Sequence, residues 1–353
     1  MTSRLEERYR SVLRLLPAAY RQRWEEDMVA AYLDSVDTGD PETTADILDC
    51  GRPNLSEVAS IVSLAVRLRL GGTDAPPRAY ARGQAVRLAT LAAVLAHAVM
   101  ATGGIAGTLW LSGSIAWLPA VPPDLAFTPP SSTWHAAWGL AGYAWVPAYV
   151  ALVLGHRRVA QAVALLAVVP PLLTIAVTQA TGAAPLSASP WANGIVDVVL
   201  LLAMAAFPHG STPVPRRPWL LALPIGILLV PVPLVALQAA RPELRLLDWP
   251  GLCCALVTAA MLVHLAVRAP DRSARLPWSL ALTLLTAATL ALRLVTLPDY
   301  GGQAQRAALL VLAGVQVVVV LAVGVPVARR AVRALRRLPP TPAGTLGPTA
   351  PAG

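Results

Sequence analysis

Two charged residues stand inside long apolar runs of this sequence, Asp197 in GIVDVVLLLA and Arg293 in ATLALRLVTL. A charge at a bilayer centre costs about 2.5–3.5 kcal/mol on insertion scales, so such residues are functional candidates by default. Counted from the nearer end of each run at helical rise, Asp197 lies about 9 Å deep and Arg293 about 6–8 Å deep. Two arrangements fit these matched depths. One is an interhelical ion pair between Asp197 and Arg293. In the other, Arg293 snorkels outward while Asp197 faces a wet vestibule or is protonated. His97 and His264 have no acid or cysteine at metal-ligand spacing on their own helices and read as satisfied structural histidines. The adjacent Cys253 and Cys254 read as small packing residues. Gly103 and Gly107 form a GxxxG, a signal for close helix approach.

Motifs for group transfer are missing. The sequence has no Lys, all 28 cations being Arg, so it has no G-x-x-x-x-G-K phosphate loop. It has no H-E-x-x-H, G-x-S-x-G or paired-cysteine metal motif either. Residues 73–353 hold only seven acids, scattered along the chain. No catalytic residue, metal ligand or cofactor is therefore expected, and an intramembrane enzyme ranks last among the functional readings. The net charge of +9 divides unevenly: residues 1–72 carry 9 Arg against 12 acids, and residues 73–353 carry 19 Arg against 7. The polar part is acidic, which argues against nucleic acid as a partner.

These residues need elements to hold them, and the composition says which. Hydrophobic residues make up 56% of the 353 and charged residues 13%, against about 25% charged in soluble domains. A span needs roughly 20 apolar residues, with about 17–25 tolerated. Eight runs qualify: 87–111, 136–154, 159–178, 191–207, 219–239, 249–267, 278–297 and 307–327. Arg is concentrated in every second connection. Arg157 and Arg158, Arg216 and Arg217, and Arg268, Arg272 and Arg275 mark one set. Loops 112–135 and 179–190 carry none, and 298–306 carries Arg306 alone. Loop 240–248 is the weakest case, with Arg241 and Arg245 beside Glu243 and Asp248. The positive-inside rule then puts both termini in the cytoplasm of a multi-pass plasma-membrane protein. Trp110, Trp138, Trp191, Trp219, Trp249 and Trp278 fall near run ends, where amphipathic rings sit at the interface. After the last run, Arg329, Arg330, Arg333, Arg336 and Arg337 form a basic cluster suited to anionic lipid. The rest of the 328–353 tail is rich in Pro, Gly and Thr and reads as disordered.

Ahead of the runs, residues 1–72 read as a cytosolic helical domain, joined by a linker over 73–86. Leu5, Tyr9, Val12, Leu13 and Leu16 mark one helical face. In YRQRWEEDMVAAYL, Tyr20, Trp24, Met28 and Tyr32 mark the next, a stripe facing a partner or forming the core. Asp40-Pro41 is an N-cap followed by proline at the first position of a helix that Gly51 ends. Asn54 and Glu57 have capping-box spacing for a helix over Leu55–Leu70.

Leu16-Pro17, Tyr20-Arg21 and Glu26-Asp27-Met28 resemble the helical prefix domain, L-P-x-x-[YF]-R…G-E-E-M, of bacterial permease-type membrane proteins often associated with PadR-type regulators. The stretch GRPNLSEVASIVSLAVRLRLGG is similar to the N-terminal part of multi-span proteins from GC-rich bacteria. Glu25 stands where that prefix has Gly, and the large extracytoplasmic domain of those permeases is missing, since the outer loops reach only about two dozen residues. The resemblance implies a cytoplasmic helical module and no chemistry.

The sequence thus predicts an all-α, eight-span membrane bundle behind a small helical domain. The leading functional expectation is a non-enzymatic regulatory or accessory protein whose prefix binds a cytosolic regulator or ATPase, with the lipid bilayer as its other partner. A permease or small-molecule transporter component comes second.

Overall fold

Helix accounts for 90% of the described residues, and no strand occurs among them. The computed structural model describes residues 3–37, 39–69, 71, 77–114, 140–182, 188–205, 215–240, 248–267, 272–302 and 306–338. The chain divides into two compact units, Met1–Gly83 with Pro339–Gly353, and Gln84–Leu338. Most of loop 112–135, with Asp124 and its three aromatics, lies outside the described residues, as do Trp138, Arg241, Arg245 and the tail beyond 338.

The first unit is built on α1 (Arg4–Leu13), α2 (Ala18–Val36), α3 (Pro41–Cys50) and α4 (Leu55–Arg69). Leu5, Tyr9 and Leu13 recur every fourth residue, fall on one face of α1 and are buried, as is Leu16 just beyond it. Each such side chain stabilises the fold by roughly 1.5–3 kcal/mol through burial. The Tyr9 ring stacks on Tyr32 at 4.0 Å, and its hydroxyl donates to Glu57 Oε1 at 3.2 Å. Burial and the Glu57 carboxylate hold the Tyr9 phenol above its ordinary value. Arg10 reaches Glu6 at 3.0 Å and Glu26 at 2.7 Å, tying α1 to α2. α1 contributes more fully buried residues to this core than α2 does. Tyr20, Met28 and Tyr32 pack against its cluster, Val29 is the buried residue of α2 among those described, and Trp24 is 41% exposed with Arg23 over its ring. Asp40 caps α3 through the Thr43 N–H at 3.3 Å, and Gly51 closes it. Glu57 belongs to Tyr9, so a reciprocal capping box does not describe its role.

The second unit begins inside α5 (Pro77–Leu111), which starts ten residues before the expected first span and absorbs the C-terminal part of the expected linker. A short 3-10 turn (Ala141–Ala144) leads into α6 (Trp145–Leu154), followed by α7 (Arg157–Ala180), α8 (Ala188–Ala205), α9 (Arg216–Leu229), α10 (Pro231–Ala240), α11 (Trp249–Ala266) and α12 (Arg272–Thr296). A second 3-10 stretch (Leu297–Gly302) precedes α13 (Arg306–Arg337). Among the described residues six helical segments are long and apolar enough to cross a membrane: Pro77–Leu111, Arg157–Ala180, Arg216–Leu234, Trp249–Ala266, Arg275–Tyr300 and Arg306–Arg337. The other two expected spans correspond to shorter apolar helices, Ala141–Leu154 and Ala188–Met204. At 1.5 Å per residue these reach about 21 and 25 Å, short of the roughly 30 Å hydrocarbon core.

The helices turn apolar side chains outward, Leu229 at 70% and Val311 at 68% exposure among them. Helices apolar all round need a non-aqueous surrounding, which a bilayer supplies. Inside, α5, α6, α7 and α8 share one apolar cluster around Val94, Ala148, Tyr149, Ala164 and Met204. Close approach relies on glycine: a Cβ on Gly103 would sit 2.7 Å from Pro231, while Gly107 faces open space, so half of the GxxxG is used. Cys254 packs with Met261, Leu282, Val320 and Val327, as a small apolar residue should. His264 meets Ser279 Oγ at 2.9 Å, as expected of a satisfied histidine.

Candidate functional site

A cavity of about 690 Å³ opens among the ends of α8, α11 and α12 and the proline-bearing stretch of α7. Its wall includes Asp197, Asp248, Asp299, Asn193, Trp249 and Tyr300. Three of the seven acids of residues 73–353 therefore converge, where the sequence shows them scattered.

Each carboxylate is held differently. Asp248 is the N-cap of α11 and accepts the Gly251 N–H at 3.0 Å, with Pro250 supplying the helical φ of the first turn. Arg293 Nη1 donates to both oxygens of Asp248, at 2.9 and 2.6 Å, and to the Tyr300 hydroxyl at 2.5 Å. The Tyr300 hydroxyl in turn donates to Asp248 Oδ2. Arg293 is fully buried, and its Nε and Nη2 have no hydrogen-bond partner. Asp299 accepts the backbone N–H groups of Ala188 at 3.1 Å and Ser189 at 2.7 Å, so it anchors the start of α8 to the end of α12. Asp197 Oδ1 lies 3.1 Å from His97 Nε2. His97 sits 4.8 Å from the Trp145 ring and 5.5 Å from the Trp249 ring, and its Nδ1 faces the Ala93 carbonyl oxygen at 2.8 Å.

Asp197 and Arg293 thus do not pair with each other. Arg293 takes Asp248 and Tyr300, and Asp197 takes His97, which is not isolated. Neither Arg293 nor His97 is left without an acid, so the costly unpaired buried charge is avoided on both helices. Sequence reasoning counted Asp248 as a loop acid that offsets Arg241 and Arg245. The usable signal was Asp-Trp-Pro at the head of an apolar run, an N-cap signature that puts a carboxylate at the end of an apolar helix.

The other singled-out residues lie elsewhere. Tyr20, Trp24, Met28 and Tyr32 belong to the first unit. Arg329, Arg330, Arg333, Arg336 and Arg337 are exposed at the end of α13, and their spacing puts all five on one face. Among the described residues no group of three His, Cys, Asp or Glu is placed to hold a metal ion. No protein-family model, curated protein or solved structure matches the chain.

Proposed function

We propose that the protein is a multi-pass membrane protein that binds a small polar molecule in the Asp197–Asp248–Asp299 cavity, a permease or transporter component without enzymatic activity. The cavity carries this reading. About 690 Å³ lies within the roughly 300–1,000 Å³ of small-molecule sites. It adjoins the Pro170-Pro171 pair inside α7, where two backbone N–H donors are missing, and three helix ends, the kind of place where membrane helices present polar backbone and side chains to a ligand. α5 and the seven crossings beyond it, with α9 and α10 counted as one, make eight crossings in all. Arg counts put both termini and the N-terminal unit in the cytoplasm; on that topology the cavity opens toward the outside, its α8 and α12 walls adjoining the Arg-poor loops 179–190 and 298–306 and its α11 wall adjoining loop 240–248 with Arg241 and Arg245.

A screen of small polar metabolites by thermal shift on the full-length protein in detergent tests this. A ligand at 100 times its Kd adds about 2.7 kcal/mol. It raises the melting temperature of wild type and leaves the cavity-filled Asn193→Phe variant unmoved. Equal shifts in both proteins, or none in wild type, would refute it.

A second reading, the regulatory or accessory role, draws support from the exposed Leu55, Val62 and Val66 of α4, at 84%, 42% and 39%. A cytosolic regulator or ATPase that docks there would be crosslinked to the full chain and lost from Val62→Asp/Val66→Asp. An unchanged set of crosslinked proteins speaks against it.

A further inference from the structure

We infer that the cavity takes an organic ammonium ion in exchange for a proton held by His97 and Asp197. The inference rests on the cavity being a ligand site and names the class of its ligand.

The proton follows from hydrogen-bond inventory. A carbonyl oxygen only accepts, so His97 Nδ1 must carry a hydrogen to bond Ala93 at 2.8 Å. Its Nε2 faces the Asp197 carboxyl group at 3.1 Å. Either Nε2 also carries a hydrogen, making an imidazolium beside a carboxylate, or Asp197 carries it, making a carboxylic acid beside a neutral imidazole. In both cases the pair holds one proton more than neutral histidine plus carboxylate, and its net charge is zero.

The remaining charges decide what can replace that proton. Asp197 shares the cavity wall with Asp248 at the head of α11 and with Asp299 and Tyr300 on the 3-10 stretch after α12, while His97 and Arg293 stand outside that lining as the partners of Asp197 and Asp248. Asp248 is neutralised by Arg293. Asp299 accepts two backbone N–H groups at the positive end of α8, an arrangement that suits a carboxylate. α7 contributes apolar wall, Pro171, Leu172 and Ile175. With the proton in place the cavity carries one net negative charge, and without it two. A cation is the matching ligand. Trp249 lines the cavity while meeting His97 edge-on, and Tyr300 lines it too, so aromatic rings stand beside the carboxylates, the pairing that recognises substituted ammonium groups. Asn193 Oδ1 is a buried acceptor in the same wall without a partner, open to an N–H or O–H of the ligand. The exchange is balanced: the ammonium takes the place of the proton beside Asp197, His97 is left neutral with its Nδ1 hydrogen, and one proton leaves to solvent.

The test is calorimetric titration of full-length protein in nanodiscs, in two buffers of different ionisation enthalpy, with choline and benzyltrimethylammonium as probes. The uncharged isostere 3,3-dimethylbutan-1-ol and sodium chloride are run beside them. An ammonium probe binds at least about tenfold more tightly than the isostere, releases close to one proton, and gains up to about tenfold in affinity per pH unit while the pair remains protonated. Asp197→Asn binds probe and isostere alike. His97→Gln keeps an amide for Ala93 and Asp197, binds the ammonium, and releases no proton. Isostere binding equal to that of the ammonium, without proton release, overturns the exchange and leaves the cavity a ligand site. Proton release by sodium to the same extent overturns the organic class. Failure of every probe and of the metabolite screen together removes the ligand site itself.

Discussion

Removing either partner of the Asp248–Arg293 pair has unequal consequences, and the structure sets the order. Arg293 is fully buried, with two guanidinium nitrogens already unpartnered, whereas the Asp248 side chain is 27% exposed. Asp248→Asn keeps an N-cap, since Asn caps as well as Asp, so its cost isolates the loss of the anion. That loss strands a buried cation, which costs about 3–5 kcal/mol. Arg293→Met strands a carboxylate that still accepts from Gly251 N–H and Tyr300, lies at the positive end of α11 and retains some water. Its cost is nearer the price of one charged hydrogen bond, about 1.5–3 kcal/mol. The double variant recovers part of the larger loss, because neither charge is left alone. Unfolding of the full-length protein in bicelles, followed by SDS titration, measures all three. Equal losses for the single variants, or strict additivity in the double, would refute the view of Arg293 as a buried cation held by Asp248.

Two further outcomes follow from local geometry. Gly103→Ala drives a methyl group to 2.7 Å from the rigid Pro231 ring and costs about 1–3 kcal/mol by overpacking. Gly107→Ala meets open space and gains up to about 1 kcal/mol of helix propensity, so opposite signs in the same unfolding assay are required. Tyr9 is held protonated in the first unit by burial and by Glu57. Its contribution is therefore complete below the ordinary tyrosine value of about 10 and declines as pH rises above it. Thermal unfolding of wild type against Tyr9→Phe between pH 8 and pH 11, about that value, should show a gap that changes only in the upper part of the range. A gap constant with pH contradicts the assignment.

What could be read without the structure was local. The face of α1, the Asp40-Pro41 start and Gly51 end of α3, and the extent of α4 depend on residues within one or two turns of each other, and all appear as the sequence predicts. The long apolar runs carry their own evidence for membrane helices, since each satisfies its backbone internally whatever surrounds it. Other features were set by contacts between distant residues. Depth along a helix made Asp197 and Arg293 look like partners, yet rotation about the helix axes turned Asp197 toward His97 of α5 and Arg293 toward Asp248 at the head of α11. Likewise Asp197, Asp248 and Asp299 stand far apart in the chain and converge only because α8, α11 and the end of α12 meet. The sequence by itself determined which segments are helical and apolar, because hydrogen bonds and hydropathy act within a segment. The tertiary structure alone decided which charges face one another, because that depends on how helices rotate and approach when their small residues allow it.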